Sequence, residues 1–143
     1  MKLRLLMVFV LLSLAAAAGQ SDKLSGLKTR AQAAPPADQA RLFIDIARMQ
    51  FEAAKTAYDS GKAPQAQAAL TELSTAADRA SQAAIQTRKR LKNTEIDIRK
   101  LTEHLKNLKP TVSVDDRVPV QQAIDHLEKL RTELMTQMFA KSK

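Results

Sequence analysis

The stretch APQAQAALTELSTAADRASQAAIQTRKRLKNTEIDIRKLTEHLKNL, residues 63–108, decides how this chain folds. Its apolar and small residues hold one phase throughout. Ala63, Leu70, Ala77, Ala84, Leu91, Ile98 and Leu105 occupy one heptad position, and Ala66, Leu73, Ala80, Thr87, Thr94, Leu101 and Leu108 occupy the other. A repeat of this kind keeps a single stripe facing a neighbouring helix. Neither proline nor glycine interrupts the run, so it predicts one helix over residues 64–108, ~68 Å long at 1.5 Å per residue. The rival arrangement bends this helix around residues 86–93 to build a compact bundle. Unbroken phase favours the straight form.

Punctuation on either side sets the neighbours. Gly61 stands where a preceding helix ends and Pro64 just inside the start of the next, the usual asymmetry of those two residues. Ahead of Gly61, Ile44, Ala47, Phe51, Ala54 and Tyr58 recur at three and four, which predicts a helix over about 38–59 capped by Asp38. Residues 19–37 hold a shorter amphipathic helix, with Leu24, Leu27, Ala31 and Ala34 on one face. Gly26 weakens it and Pro35-Pro36 ends it. After Pro110, residues 111–118 read as a loop in which Asp115 or Asp116 caps a final helix and Pro119 is accommodated in the first turn. Val120, Ala123, Leu127, Leu130, Leu134 and Met138 form the stripe of that helix, over about 117–139. The expected architecture is all-α: an antiparallel helical hairpin or elongated three-helix bundle around one long central helix, in a domain spanning 38–143.

Composition agrees with that class. The 143 residues include three glycines and 3% aromatics and are rich in good helix formers. Residues 1–18, MKLRLLMVFVLLSLAAAA, have the form of a secretory signal peptide: Lys2 and Arg4, an apolar run over 5–14, then Ala16, Ala17 and Ala18. Cleavage near Ala18-Gly19 and a periplasmic or secreted product are expected. The apolar run falls short of the ~20 residues a membrane span needs. There is no cysteine, so neither disulfides nor thiol chemistry are available to an exported chain.

Residues able to carry chemistry are sparse. His104 and His126 lie on different predicted helices without a second histidine at i+3 or i+4, so no metal site is expected. If the last helix packs back on the long one, the two could approach. Asp115-Asp116 could serve as an acid–base pair, but capping accounts for it. With three glycines in the chain no phosphate-cradling loop can be assembled. No catalytic, cofactor-binding or metal-ligating residue is expected, and no enzyme activity.

Charge is the strongest feature. The formal net charge is +8. Much of it lies between residues 85 and 109, where Arg88, Lys89, Arg90, Lys92, Arg99, Lys100, Lys106 and Lys109 face only Glu95, Asp97 and Glu103. Lys92, Arg99 and Lys106 repeat every seven residues along one line. A ridge of this kind suits anionic lipid headgroups or acidic envelope polymers, with Arg88, Lys89, Arg90, Lys92, Arg99, Lys100 and Lys106 as the contact residues. Nucleic acid is disfavoured, since no aromatic residue is interleaved for stacking. Against the ridge, Glu95–Arg99, Asp97–Lys100 and Glu103–Lys106 stand at spacings that allow pairing along one helix. Ile85, Ile96, Met49, Met135 and Phe139 fall outside the stripes, marking either a wider core or a contact surface. The reading preferred on sequence grounds is an exported, non-catalytic interaction or scaffold protein that meets a protein partner through apolar helix faces. Binding to anionic envelope surfaces is the alternative.

Ala54, Ala57, Tyr58, Gly61, Ala66 and Leu70 stand at offsets similar to those of a tetratricopeptide-repeat hairpin over residues 50–78, a resemblance that implies peptide or protein binding. The match departs from that pattern at Gln50, lacks a proline near Asp78 and has no second copy. Its residues by themselves predict an antiparallel helix pair obeying the same packing rules. The whole layout, with RKRLKNTEIDIRKL, the DDRVPV loop and the closing LRTELMTQMF, also resembles that of uncharacterised exported α-helical proteins of bacteria, a likeness that implies no activity.

Overall fold

The computed structural model describes residues 22–140; the expected signal peptide at 1–18 and the basic tail at 141–143 lie outside the described residues. Among these residues the chain is all-α, without a strand. Its helices are α1 (residues 22–33), α2 (Pro36–Asp59), α3 (Ala63–Thr87), α4 (Leu91–Leu108) and α5 (Arg117–Phe139). Two short 3₁₀ turns, Lys109–Thr111 and Val114–Asp116, join the last two helices.

Helices α2 and α3 form an antiparallel pair around a tight reversal. Gly61 adopts φ 69°, a left-handed conformation that costs glycine nothing, while the amides of Gly61 and Lys62 donate back to the Tyr58 and Ala57 carbonyls at 3.1 and 2.8 Å. The α3 face toward α2 is built from small residues, with Ala66, Ala69, Ala76, Ala77, Ala80 and Ala84 all buried. Small side chains bring the two backbones close, and Leu42, Phe43, Ile44, Ile46 and Phe51 of α2 supply the bulk. The start of α2 differs from expectation: it begins at Pro36 behind Pro35, with no side-chain cap. Pro36 has a preset φ and no amide to satisfy, so it opens the helix two residues early and leaves Asp38 in the first turn, favourably placed against the helix dipole.

The expected continuous helix over 64–108 is instead two helices. Arg88 (φ 55°, ψ 13°) ends α3 and Arg90 (φ 62°, ψ 19°) precedes α4, both in the left-handed region. Thr87 shapes the reversal, its hydroxyl donating to the Ala83 carbonyl at 2.8 Å and accepting from the Lys89 amide at 3.3 Å. Each left-handed non-glycine residue costs about 1–2 kcal/mol. Full burial of a single large apolar side chain is worth about 1.5–3 kcal/mol. The corner lets α4 bury Leu91, Ile98, Leu101, Leu105 and Leu108, with α5 contributing Val120, Ile124, Leu127 and Leu134 to the same core. Packing wins by a wide margin.

Pairs across the helices give their directions. Arg48 with Asp97, and Phe51 with His104, show α2 and α4 running parallel. Asp78 with His126, and Arg88 with Gln137, show the same for α3 and α5. Two antiparallel pairs, α2–α3 and α4–α5, therefore lie side by side. Helix α1 adds to the first of them, burying Ala31 and linking Lys28 to Glu72 at 3.3 Å. Met49, Ile85 and Ile96 are half-buried, part of a core wider than two heptad positions, whereas Met135 and Phe139 remain exposed.

Two outcomes follow from the corner and from the end of α2. Arg90→Gly keeps or raises the urea midpoint, because glycine occupies the left-handed region without penalty, whereas the β-branched Arg90→Val lowers stability by about 1–2 kcal/mol. Tyr58, the chain's single tyrosine, ionises above its ordinary value of 10.0, chiefly because burial disfavours the phenolate and secondarily because Asp116 repels it. Its hydroxyl has no hydrogen-bond partner among the described residues. The folded protein thus holds this proton more tightly than the unfolded chain does. The resulting stabilisation is complete below about pH 10 and is lost as pH rises through the folded value. Absorbance of the phenolate reports that single group directly.

Candidate anionic-surface site at the α3–α4 corner

The reversal between α3 and α4 places three consecutive cations, Arg88, Lys89 and Arg90, on an exposed corner, and Lys92 follows in the first turn of α4. Arg88 is the one that is anchored. Its Nη2 donates to the Gln137 carbonyl at 3.0 Å and its Nη1 to Gln137 Oε1 at 3.4 Å. The last carbonyls of a helix have no intrahelical donor, and the dipole there is negative, so an arginine suits the end of α5 on both counts. The corner is held against the last turn of α5 in this way. Lys89, Arg90, Lys92, Arg99 and Lys100 are exposed, and none enters an ion pair among the described residues.

Two of the three intrahelical pairs expected to neutralise the ridge are not formed. Glu95 is only 7% exposed and accepts from Arg131 Nε of α5 at 3.0 Å. Asp97 accepts from Arg48 Nη2 of α2 at 2.9 Å. Both carboxylates flank the buried stripe of α4 on a 3.6-residue wheel, one toward each neighbouring helix, so helix packing claims them before Arg99 or Lys100 can. The third pair, Glu103–Lys106, is present at 3.7 Å.

Lys106 is set apart from the other predicted contact residues. Its ammonium lies 3.0 Å from Glu128 of α5, and that hydrogen bond, followed by the attraction of the same carboxylate, raises its pKa above the usual lysine value. Lys109 donates to Gln121 Oε1 at 2.7 Å. The free part of the ridge therefore comprises Lys89, Arg90, Lys92, Arg99 and Lys100. Glu95 and Asp97 are the only carboxylates between residues 86 and 102, and both are engaged elsewhere.

Other candidates find separate surroundings. The two histidines do not meet. His126 Nε2 lies 2.6 Å from Asp78 Oδ1, tying α5 to α3, while His104 packs on the Phe51 ring with centroids 5.4 Å apart. No cluster of three metal-ligating side chains occurs among the described residues. Asp116 stands at the N-cap position of α5 but makes no side-chain cap bond; its carboxylate accepts from the Ser113 hydroxyl at 2.7 Å instead. The 3₁₀ turn over Val114–Asp116 carries Asp116 into a helical conformation and turns its side chain back along the loop. Asp115 is exposed. An open groove of about 400 Å³ lies between α2 and α4, lined by Phe51, Glu52, Lys55, His104, Asn107, Leu108 and Thr111.

Sequence reasoning missed Gln137 as the partner of the corner. No signal in the linear pattern could have revealed them, since the contact depends on the reversal at Arg88–Arg90.

No family model, curated protein or solved structure matches the chain.

The redirected carboxylates give a direct check. Arg131→Ala leaves Glu95 buried without its partner and costs about 1–3 kcal/mol of stability in urea unfolding. Lys100→Ala, on the free part of the ridge, stays within about 0.5 kcal/mol of wild type.

Proposed function

We propose that this chain is an exported, non-catalytic helical protein that binds anionic surfaces, such as lipid headgroups or acidic polymers, through the cations of the α3–α4 corner and the adjoining face of α4. The observation that carries this reading is the diversion of Glu95 and Asp97 to Arg131 and Arg48. It leaves Lys89, Arg90, Lys92, Arg99 and Lys100 exposed and outside any ion pair among the described residues, with Glu103, held at 3.7 Å from Lys106, as the one exposed carboxylate of α4 on that face. The charge is thus displayed on a rigid surface rather than cancelled along the helix. An exported address is supported by the composition of residues 1–18. No helix among the described residues is long and apolar enough to cross a membrane, so any membrane contact by them is peripheral.

The apolar-face reading has less support because the stripe that would recruit a protein partner is spent inside the chain: Ile98, Leu101, Leu105, Leu127 and Leu134 are all fully or nearly fully buried. One observation keeps it as a second reading. The groove between α2 and α4 joins apolar Phe51 and Leu108 to polar rim residues and has room for a short peptide segment. The hairpin resemblance over residues 50–78 points the same way.

The test is binding to a soluble polyanion and to anionic vesicles as a function of salt. Each lysine or arginine near an anionic surface contributes about 1 kcal/mol, so replacing Lys92, Arg99 and Lys100 together by alanine weakens binding on the order of 100-fold at low salt. Wild-type binding fades as the Debye length falls from ~10 Å at 0.1 M toward ~3 Å at 1 M. Binding that is indifferent to salt and survives the triple substitution overturns this reading and favours the groove.

A further inference from the structure

We infer that the corner and the last turn of α5 together form a bilayer-docking end, with the cations on phosphate headgroups and Phe139 entering the interfacial layer beside them. This deepens the preceding proposal and rests on it; what it adds is the identity of the anionic surface.

The geometry is specific to this end of the molecule. Arg88 is bonded to Gln137 through the main-chain carbonyl at 3.0 Å, which fixes Lys89, Arg90 and Lys92 next to a helix terminus whose final residue is Phe139. Phe139 is 78% exposed and Met135, one turn earlier on the same face, is 41% exposed. Every other phenylalanine among the described residues is buried: Phe43 and Phe51 lie in the core. Glu133 is the nearest carboxylate preceding Phe139 on α5, about 9 Å back along the helix at 1.5 Å per residue. Lys141 and Lys143 follow Phe139 in the sequence.

A soluble polyanion has use for the cations and none for the aromatic ring. A bilayer surface uses both, since electrostatic attraction to anionic headgroups and burial of apolar side chains at the acyl boundary add. An exposed aromatic beside unpaired cations, at the end of a helix, is therefore matched to an anionic bilayer rather than to an acidic polymer.

The experiment exploits the absence of tryptophan from the chain. Phe139→Trp in the full chain supplies a single tryptophan at the site, excited at the red edge of its absorption apart from Tyr58. Vesicles containing phosphatidylglycerol should shift its emission to the blue, and lipids brominated near the headgroup end of the acyl chain should quench it. A soluble polyanion should bind without either change, and vesicles of phosphatidylcholine alone should give neither. Phe139→Ala should weaken binding to the anionic vesicles by roughly tenfold or more while leaving polyanion binding unchanged. Bound protein without a blue shift, or an equal shift on neutral vesicles, overturns the docking end and leaves the charged surface standing. Loss of binding to polyanion and vesicle alike removes the charged-surface reading itself.

Discussion

Burial of the apolar stripe in residues 91–108 is the constraint on which the rest of this structure depends. Extended straight from α3, that stripe would be covered by α5 alone and would lose its contacts with α2, where Arg48 meets Asp97 and Phe51 meets His104. The chain reverses at Arg88–Arg90 instead, accepting two left-handed residues that cost about 1–2 kcal/mol each. Full burial of Leu105 or Ile98 alone offsets one of them. Once α4 has turned, α5 returns along it, and the parallel contacts of α2 with α4 and of α3 with α5 follow from connections only a few residues long.

The electrostatics are a product of the same packing. Residues 95 and 97 flank the buried stripe of α4, so burying the stripe presents one carboxylate to Arg131 and the other to Arg48. Exposed pairs along a helix are worth only about 0.3–0.5 kcal/mol. A nearly buried carboxylate left without a partner would cost several times as much. The interhelical arginines therefore take precedence, and Arg99 and Lys100 are left facing solvent. The unpaired ridge is not a matter of composition alone, since the same residues on an isolated helix could have neutralised one another.

Much of the helical content was legible in the linear pattern, because helix boundaries here are written in residues with strong local preferences. Gly61 takes the positive φ its position after a helix requires, Pro64 opens α3, and Ala66, Leu70, Leu73, Ala77, Ala80, Ala84, Ile98, Leu101 and Leu105 are buried as their phase indicates. The corner was not legible. Its two left-handed residues are arginines, for which no local signal of a reversal exists, and the heptad phase runs through them because both halves of the stripe feed one core. For the same reason the site could be read as a set of charges but not as a place. Which cations stay free depends on where Arg48, Arg131 and Glu128 arrive, and the approach of Gln137 to Arg88 depends on the reversal.

The identity of the corner residues bears on what the corner is for. Glycine or asparagine would reach the left-handed region at lower cost, and a chain selected only for this fold would have them there. Arg88 has a structural reason to be otherwise, since its guanidinium closes the end of α5. Arg90 has none: it is exposed, forms no ion pair among the described residues and lies outside the core. Departures from local preference with no compensating contact concentrate where a side chain is used for something other than folding. A cation held in the left-handed region on a solvent-facing corner is what the proposed anionic-surface role would call for.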